Sequence, residues 1–115
     1  MATYVNDLRL KEIATGDEAG TWGTSTNTNL ELVAEAFSYG TEASFSSDAD
    51  TTTTMADRAT DPIRSLYLKV TSSVDLTATR TLTISPNTVS KVWIIENATS
   101  GSQSIAISQG SGANV

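Results

Sequence analysis

The clearest structural signal in the chain is the stretch Leu76-Thr-Ala-Thr-Arg-Thr-Leu-Thr-Ile84. Its even positions include Ala78, Leu82 and Ile84, whereas threonine occupies every odd position from 77 to 83. A period of two places alternate side chains on opposite faces of a β-strand. The stretch therefore predicts a strand with one apolar face and one face covered by hydroxyl groups.

Further strands are predicted on both sides of this one. Residues 66–71 and 104–108 alternate in the same way, and a weaker strand is predicted near Phe45. The polar run at 48–61 contains four consecutive threonines at 51–54, which suit either an exposed strand or a mobile loop. Turns are predicted at Asp61-Pro62, at 97–102 and at 109–114.

The most apolar strand is predicted at residues 89–95, with the sequence Val-Ser-Lys-Val-Trp-Ile-Ile. Its apolar side chains fall on both faces, because they occupy both odd and even positions. Strands of this kind are buried on both sides. We therefore expect a central strand, or one whose outer face is covered by another subunit.

One helix is predicted, at about residues 29–39. Leu30, Val33 and Phe37 recur at helical spacing, and Thr28 and Glu31 have the spacing of a capping box.

Glycine-containing segments bound this helix. Residues 14–23 contain three glycines and two acidic residues, which predicts a loop after a short half-buried strand at 8–13. Gly40 lies where a left-handed residue usually ends a helix.

These elements predict an α+β fold that is mostly β, with a small antiparallel sheet or sandwich and one short N-terminal helix. A chain of 115 residues has room for one small domain or for two very small lobes. Only 17% of its residues are charged, and serine and threonine are abundant, which favours hydroxyl-covered strands over a helical enzyme domain.

The composition argues against several classes of function. The net charge is −6 with only seven lysines and arginines, so nucleic acid and anionic membrane surfaces are poor partners. The absence of cysteine and histidine excludes disulfides, thiolate nucleophiles, Cys/His zinc sites and imidazole bases. The N-terminus does not resemble a signal peptide, and no apolar run is long enough to span a bilayer. We expect a soluble protein made in a cytoplasm.

A family resemblance is carried by Gly16-Asp-Glu-Ala-Gly-Thr-Trp-Gly23 followed by Thr24-Ser-Thr-Asn-Thr-Asn-Leu30. This segment resembles the N-terminal region of tail fibre proteins of tailed bacteriophages, particularly marine and cyanobacterial ones. The segments 85–88 (Ser-Pro-Asn-Thr) and 95–103 (Ile-Glu-Asn-Ala-Thr-Ser-Gly-Ser-Gln) are similar to the same proteins. The resemblance therefore extends over nearly the whole chain.

The resemblance implies a nonenzymatic structural protein of the virion, assembled in the bacterial cytoplasm. Its implied partners are a tail, baseplate or adaptor protein and further copies of itself in an intertwined homotrimer. Residues 1–40 would form a docking segment. Residues 41–115 would form a Thr/Ser-rich β domain that continues into a fibre beyond this chain.

Trp22 is the leading candidate for a docking residue, because tryptophan is enriched at interface hot spots. The alternative is a structural tryptophan that covers the helix or a small sheet. Thr21, Gly23, Leu30 and Trp93 are the other candidate partner-binding residues. Asn27 and Asn29 are expected to hold the loop through backbone hydrogen bonds.

No catalytic residue, metal site or cofactor is predicted. Asp48, Asp50, Asp57 and Asp61 raise the question of calcium, but their spacing matches no acidic calcium loop, and solvated carboxylates are favoured. A glycosidase needs two carboxylates at a defined separation in a sugar-binding cleft. A chain this short, with 6% aromatic residues, is not expected to build one.

Two other functions stay open at this point. The chain could be a head- or neck-associated fibre or decoration protein, or a carbohydrate-binding module that recognises the host surface. A carbohydrate binder should expose two or three aromatic side chains on one face. An anchor should bury Trp22 and the strand around residues 92–95 in contacts with other subunits.

Overall fold

The computed structural model describes residues 3–110 and Val115. In this part of the chain one α-helix and one short 3-10 turn accompany eight strands. The elements in chain order are β1 (Thr3–Val5), β2 (Leu10–Glu12), α1 (Trp22–Glu35), β3 (Tyr39–Phe45), β4 (Thr51–Thr54), the 3-10 turn (Pro62–Arg64), β5 (Tyr67–Ser72), β6 (Arg80–Ser85), β7 (Ile94–Asn97) and β8 (Ile105–Ser108).

Six of these strands form a short parallel β-solenoid. One three-stranded sheet has the order β3-β5-β7 and the other the order β4-β6-β8. All neighbours within both sheets are parallel. The chain thus passes three times through both sheets, and we call these passes the first coil (β3 and β4), the second coil (β5 and β6) and the third coil (β7 and β8).

The predicted antiparallel sheet is wrong; among the described elements, only β1 and β2 pair in that direction. In either kind of sheet, a strand with one apolar face has apolar residues at every second position, so this pattern does not reveal the direction of pairing. Parallel neighbours need a long crossover connection. Here each connection between neighbouring strands of one sheet contains a strand of the other sheet. The prediction of one helix in a mixed, strand-rich fold is confirmed.

The core lies between the inner faces of the two sheets and is most complete in the second coil. Leu68 and Val70 of β5 and Leu82 and Ile84 of β6 are fully buried. The remaining buried members of this cluster come from strand ends and connections: Phe45, Met55, Ile63, Leu76 and Val89. The predicted strand at 66–71 is therefore found as β5, and the C-terminal part of the one at 76–84 is found as β6. Residues 76–79 precede β6, and Ala78, which was expected on the apolar face, is exposed.

Helix α1 begins earlier than predicted and ends earlier too. It starts at Trp22 with Thr21 at its N-cap, so Thr28 and Glu31 lie within the helix and do not cap it. Gly40 does not end the helix but belongs to β3. A Cβ atom there would lie 2.6 Å from Ser65 Oγ and 2.7 Å from the Pro62 carbonyl oxygen, so close packing requires glycine.

The strand expected at 89–95 differs most from its prediction. The extended strand β7 begins only at Ile94, and it lies at the edge of its sheet. Val89 is nevertheless buried in the core, and Trp93 packs against it. The threonines at 51–54 form strand β4, and residues 104–108 include β8. The turn predicted at 109–114 falls mostly on residues 111–114, which lie outside the described part.

A buried arginine joins the N-terminal segment to the solenoid. Arg64 is 0% exposed and donates hydrogen bonds to the carbonyl oxygens of Leu8 (3.1 Å), Ala59 (2.5 Å) and Ala56 (2.5 Å). Its Nη1 lies 3.8 Å from Glu35 Oε2 of α1. One guanidinium thus ties together the segment before β2, the loop at 55–61 and the helix; we call this set of contacts the Arg64 junction.

Candidate attachment surface

Helix α1 is held in place by polar contacts on its buried side. Ser25 is fully buried, and its hydroxyl accepts a hydrogen bond from Arg58 Nη2 at 2.9 Å. The Asn29 amide exchanges two hydrogen bonds with the backbone of Lys11 in β2, at 3.0 and 3.1 Å. Asn29 therefore forms backbone hydrogen bonds as predicted, although to β2 and not within the loop.

The neighbouring face of the helix presents apolar side chains to solvent. Trp22 and Leu30 are each 62% exposed, and Phe37, just after the helix, is 77% exposed. Val33 lies between them and is half-buried. Their spacing of eight, three and four residues places them along one side of the helix, and we call this set the helix stripe.

An apolar cleft of about 320 Å³ adjoins the C-terminal end of the helix stripe. Its walls are almost entirely hydrocarbon, and the ammonium-bearing Lys91 also lines it. The apolar lining residues are Leu8, Val33, Ala36, Phe37, Leu66 and Val92. A cleft of this size can receive one large apolar side chain from a partner.

Charged groups are sparse along this helix. Its two acidic residues are Glu31 and Glu35. Glu35 Oε1 accepts a hydrogen bond from the backbone of Asp61 at 2.7 Å, so that carboxylate is turned toward the Arg64 junction. The exposed neighbours of the stripe include Thr26 and Asn27, which are neutral. An apolar surface with few charged residues is typical of the central part of a protein interface.

Four of the five predicted partner-binding residues lie together at this surface. Thr21, Trp22 and Gly23 form the start of the helix, and Leu30 follows two turns later. The Thr21 hydroxyl donates to Glu18, whose carboxylate also pairs with Lys11. These contacts hold the loop before Trp22 against β2. That Trp22 binds a partner stays a prediction, but its exposure does not fit a tryptophan buried in the core.

Trp93, the fifth predicted residue, lies elsewhere, between β6 and β7 in the chain. Its Nε1 donates to the Ile63 carbonyl oxygen at 2.7 Å, and the Lys91 ammonium lies 4.7 Å from its ring centroid. Burial lowers the pKa of Lys91, and the nearby Arg64 charge adds to this effect. The structure therefore places Trp93 as a fixed, partly buried residue of the third coil.

The outer face of the β3-β5-β7 sheet carries a second apolar surface, which sequence reasoning missed. Tyr39, Tyr67 and Ile94 are neighbours in register, and the two tyrosine rings stack with centroids 5.1 Å apart. The Tyr67 hydroxyl donates to Glu96 at 2.5 Å, and this carboxylate raises the pKa of Tyr67. We call these three residues the Tyr39 column. The parallel register brings them together, and local sequence does not reveal that register.

The four aspartates considered for calcium each bind groups of the protein. Asp48 accepts from Arg80 Nε at 2.8 Å, and Asp57 from Arg9 Nε at 2.7 Å. Asp50 accepts from the Thr81 backbone, and Asp61 caps the 3-10 turn through the backbone of Ile63. Among residues 3–110 and 115, no group of three or more acidic side chains could hold a metal ion.

Comparisons with protein-family models, curated proteins and solved structures find no match to this chain. No helix in the described ranges is long and apolar enough to cross a membrane.

Proposed function

We propose that this chain is the virion-attached part of a bacteriophage tail fibre, which holds the fibre to the tail or baseplate for host attachment. The observation that carries the proposal is the helix stripe, because its exposed residues Trp22 and Leu30 belong to the segment that resembles tail fibres. Its work in this proposal is mechanical and needs neither a catalytic group nor a cofactor.

Docking would use the helix stripe and the adjoining cleft. Trp22 at one end supplies a large rigid side chain, and the cleft beside Phe37 accepts one from the partner. Burying aromatic anchors in such pockets supplies most of the binding energy at protein interfaces. The helix is suited to this role because Ser25, Asn29 and the Arg64 junction fix its position before the partner arrives.

The homotrimer in this proposal would use the Tyr39 column. Tyr39 is 57% exposed and Ile94 is 52% exposed, and Val92 nearby in the chain is also exposed. Packing three such surfaces around one axis would remove exposed apolar area from water. Sedimentation equilibrium at micromolar concentration should give the mass of three chains, and Ile94→Lys should reduce it to one. A wild-type monomer under these conditions would count against the trimer.

The attachment can be tested with a photo-crosslinking residue in assembled phage particles. We expect p-benzoylphenylalanine in place of Trp22 to crosslink to a tail or baseplate protein. The same residue in place of Thr24, which is exposed on the opposite side of the helix, should not. Crosslinks from position 22 to capsid protein alone would favour a head-decoration protein and overturn the tail-fibre assignment.

A carbohydrate-binding module is the second candidate, and the stacked Tyr39 and Tyr67 rings on one exposed face are the observation in its favour. Aromatic faces pack against the apolar sides of sugar rings. Titration with host surface polysaccharide distinguishes the two functions: a carbohydrate binder should lose affinity in Tyr39→Ala. A fibre anchor should show no saturable binding in either protein.

A further inference from the structure

The chain makes a tight turn at residues 6–9, between β1 and β2. Asn6 and Arg9 have φ angles of 60° and 54°, in the left-handed region that residues other than glycine rarely adopt. Two local hydrogen bonds close the turn: Arg9 N donates to the Asn6 carbonyl oxygen at 3.3 Å, and Leu8 N donates to Asn6 Oδ1 at 2.9 Å. Strained backbone persists only where the surrounding structure holds it, and it is found preferentially at binding and catalytic sites.

Three distant parts of the chain hold this turn in place. Asp7 Oδ1 accepts from Ser90 N at 2.8 Å, the Leu8 carbonyl oxygen accepts from Arg64 Nε at 3.1 Å, and Arg9 Nε lies 2.7 Å from Asp57 Oδ1. We call the turn together with these three contacts the N-terminal clamp. Its position is fixed at three consecutive residues, which is more than a surface turn requires.

The N-terminal clamp places the Leu8 side chain in the wall of the apolar cleft that adjoins the helix stripe. Val92 lines the same cleft, although it lies far from Leu8 in the chain. The hydrogen bond between Asp7 and Ser90 joins the two backbone segments that carry these side chains. Leu8 is half-buried, so it still presents apolar surface to the cleft. The clamp therefore sets the distance between two parts of the cleft wall.

We propose that the N-terminal clamp holds Leu8 in the wall of this cleft, so that the cleft is open for one large apolar side chain before the partner arrives. Leu8 sets the depth of the cleft, and Asp7 acts through Leu8 as a positioning residue. A leucine released from the turn would cover the apolar surface that the partner needs, and binding would then have to reverse that contact. This inference rests on the proposed function, because it concerns the same attachment surface.

The cleft can be tested in the full chain with indole, which has the ring system of a tryptophan side chain. Titration followed by NMR should shift the signals of Leu8, Val33 and Leu66 saturably. Leu8→Trp fills the cleft from its own wall, so the affinity for indole should fall by about tenfold or more. Thr3→Trp is the matched control: it adds the same side chain at an exposed position of β1 outside the cleft and should leave the affinity unchanged.

The positioning role of Asp7 is tested by removing its hydrogen-bond acceptor and then restoring it. Asp7→Ala leaves the Ser90 amide without this partner, and the affinity for indole should fall about fivefold, as expected for one lost hydrogen bond. Asp7→Asn keeps an oxygen acceptor and should bind indole as wild type does. Hydrogen exchange at the Ser90 amide should be faster in Asp7→Ala only. Measurement well below the Tm of each variant ensures that the difference reports the cleft and not the folded fraction.

The proposal is overturned if wild type does not bind indole, or if Asp7→Ala binds it as tightly as wild type. Equal affinity in Leu8→Trp would overturn it too, and the Asp7 pair keeps the test valid if that variant does not fold. Crosslinking from position 22 tests the proposed function separately. Crosslinks to a tail protein without indole binding would leave the attachment standing and remove the clamp, whereas crosslinks to capsid alone would remove the tail-fibre assignment without changing indole binding.

Discussion

Two regions of the molecule differ in the kind of contact that completes them. The Arg64 junction joins the N-terminal segment, the helix and the loop at 55–61 through buried polar groups. At the third coil, Trp93, Ile95, Ile105 and Ile107 are apolar and only partly covered. Buried polar groups need satisfied, directional partners, whereas apolar side chains bind any surface of matching shape. The junction is therefore suited to fix internal geometry.

The largest expected effect is at the Arg64 junction. Arg64→Met keeps much of the side-chain volume but leaves three carbonyl oxygens and the Glu35 carboxylate without their cation. We expect the free energy of unfolding to fall by about 3 to 5 kcal/mol, measured by urea denaturation. Arg80→Met is the matched control: it removes a surface ion pair and should cost less than about 1 kcal/mol. Equal losses would contradict the special role of the junction.

The next effect compares two residues that are neighbours in register. Leu82→Ala in the second coil creates a cavity in a fully buried site and should cost about 3 kcal/mol. Ile107→Ala in the third coil should cost roughly 1 kcal/mol, because solvent already reaches that site and less apolar area is lost. Chemical denaturation of both variants measures the difference. If Ile107→Ala were as costly as Leu82→Ala, the third coil would be closed in solution.

Native-state hydrogen exchange of the wild-type protein should show the same order of local stability, with the second coil more stable than the third. Stability in a solenoid depends on contacts between neighbouring repeats, and within residues 3–110 the third coil has a neighbouring coil on one side only. We expect the amides of Leu68 and Leu82 to exchange more slowly than those of Ile95 and Ile107. Uniform protection across all three coils would show that the third coil is no less stable than the second.

The smallest expected effect is a pH dependence at the corner between β3 and β4. Hydrogen bonds from Arg80 and from Thr77 hold the pKa of the Asp48 carboxyl well below its usual range. Because the folded-state pKa is lowered, Asp48 should stabilise the fold fully above about pH 4, and this contribution should be lost as the pH falls further. The drop in Tm between pH 6 and pH 3 should be smaller in Asp48→Asn than in wild type. An equal drop would show that this carboxylate does not link folding to pH.

Local sequence predicted the positions of strands better than their partners. Residues 67–71 and 80–84 form strands with the expected inward positions, because alternation depends only on the immediate backbone. The direction of pairing depends on residues far apart, such as Thr51, Leu82 and Ile107, which become neighbours only in the solenoid. That is why the parallel sheets and the Tyr39 column could not be read from the pattern.

Local sequence also failed to predict where the helix begins. Serine, threonine and asparagine are weak helix formers, so residues 22–28 gave no helical signal. The Ser25 contact with Arg58 and the Asn29 contacts with Lys11 stabilise the early turns. The candidate site was therefore found in part: the sequence identified Trp22 and Leu30 as partner-binding candidates. It did not reveal that Phe37 and the apolar cleft adjoin them.

The sequence by itself determined that strands lie near residues 66–71, 80–84 and 104–108, that one helix covers residues 29–35, and that chemistry based on cysteine or histidine is excluded. These properties follow from residue type and short-range periodicity. Only the tertiary structure decided that the sheets are parallel, that Arg64 is buried, and that the helix stripe is exposed. Each of those outcomes depends on which distant segments exclude water from one another, and contacts of that kind are formed only when the whole chain folds.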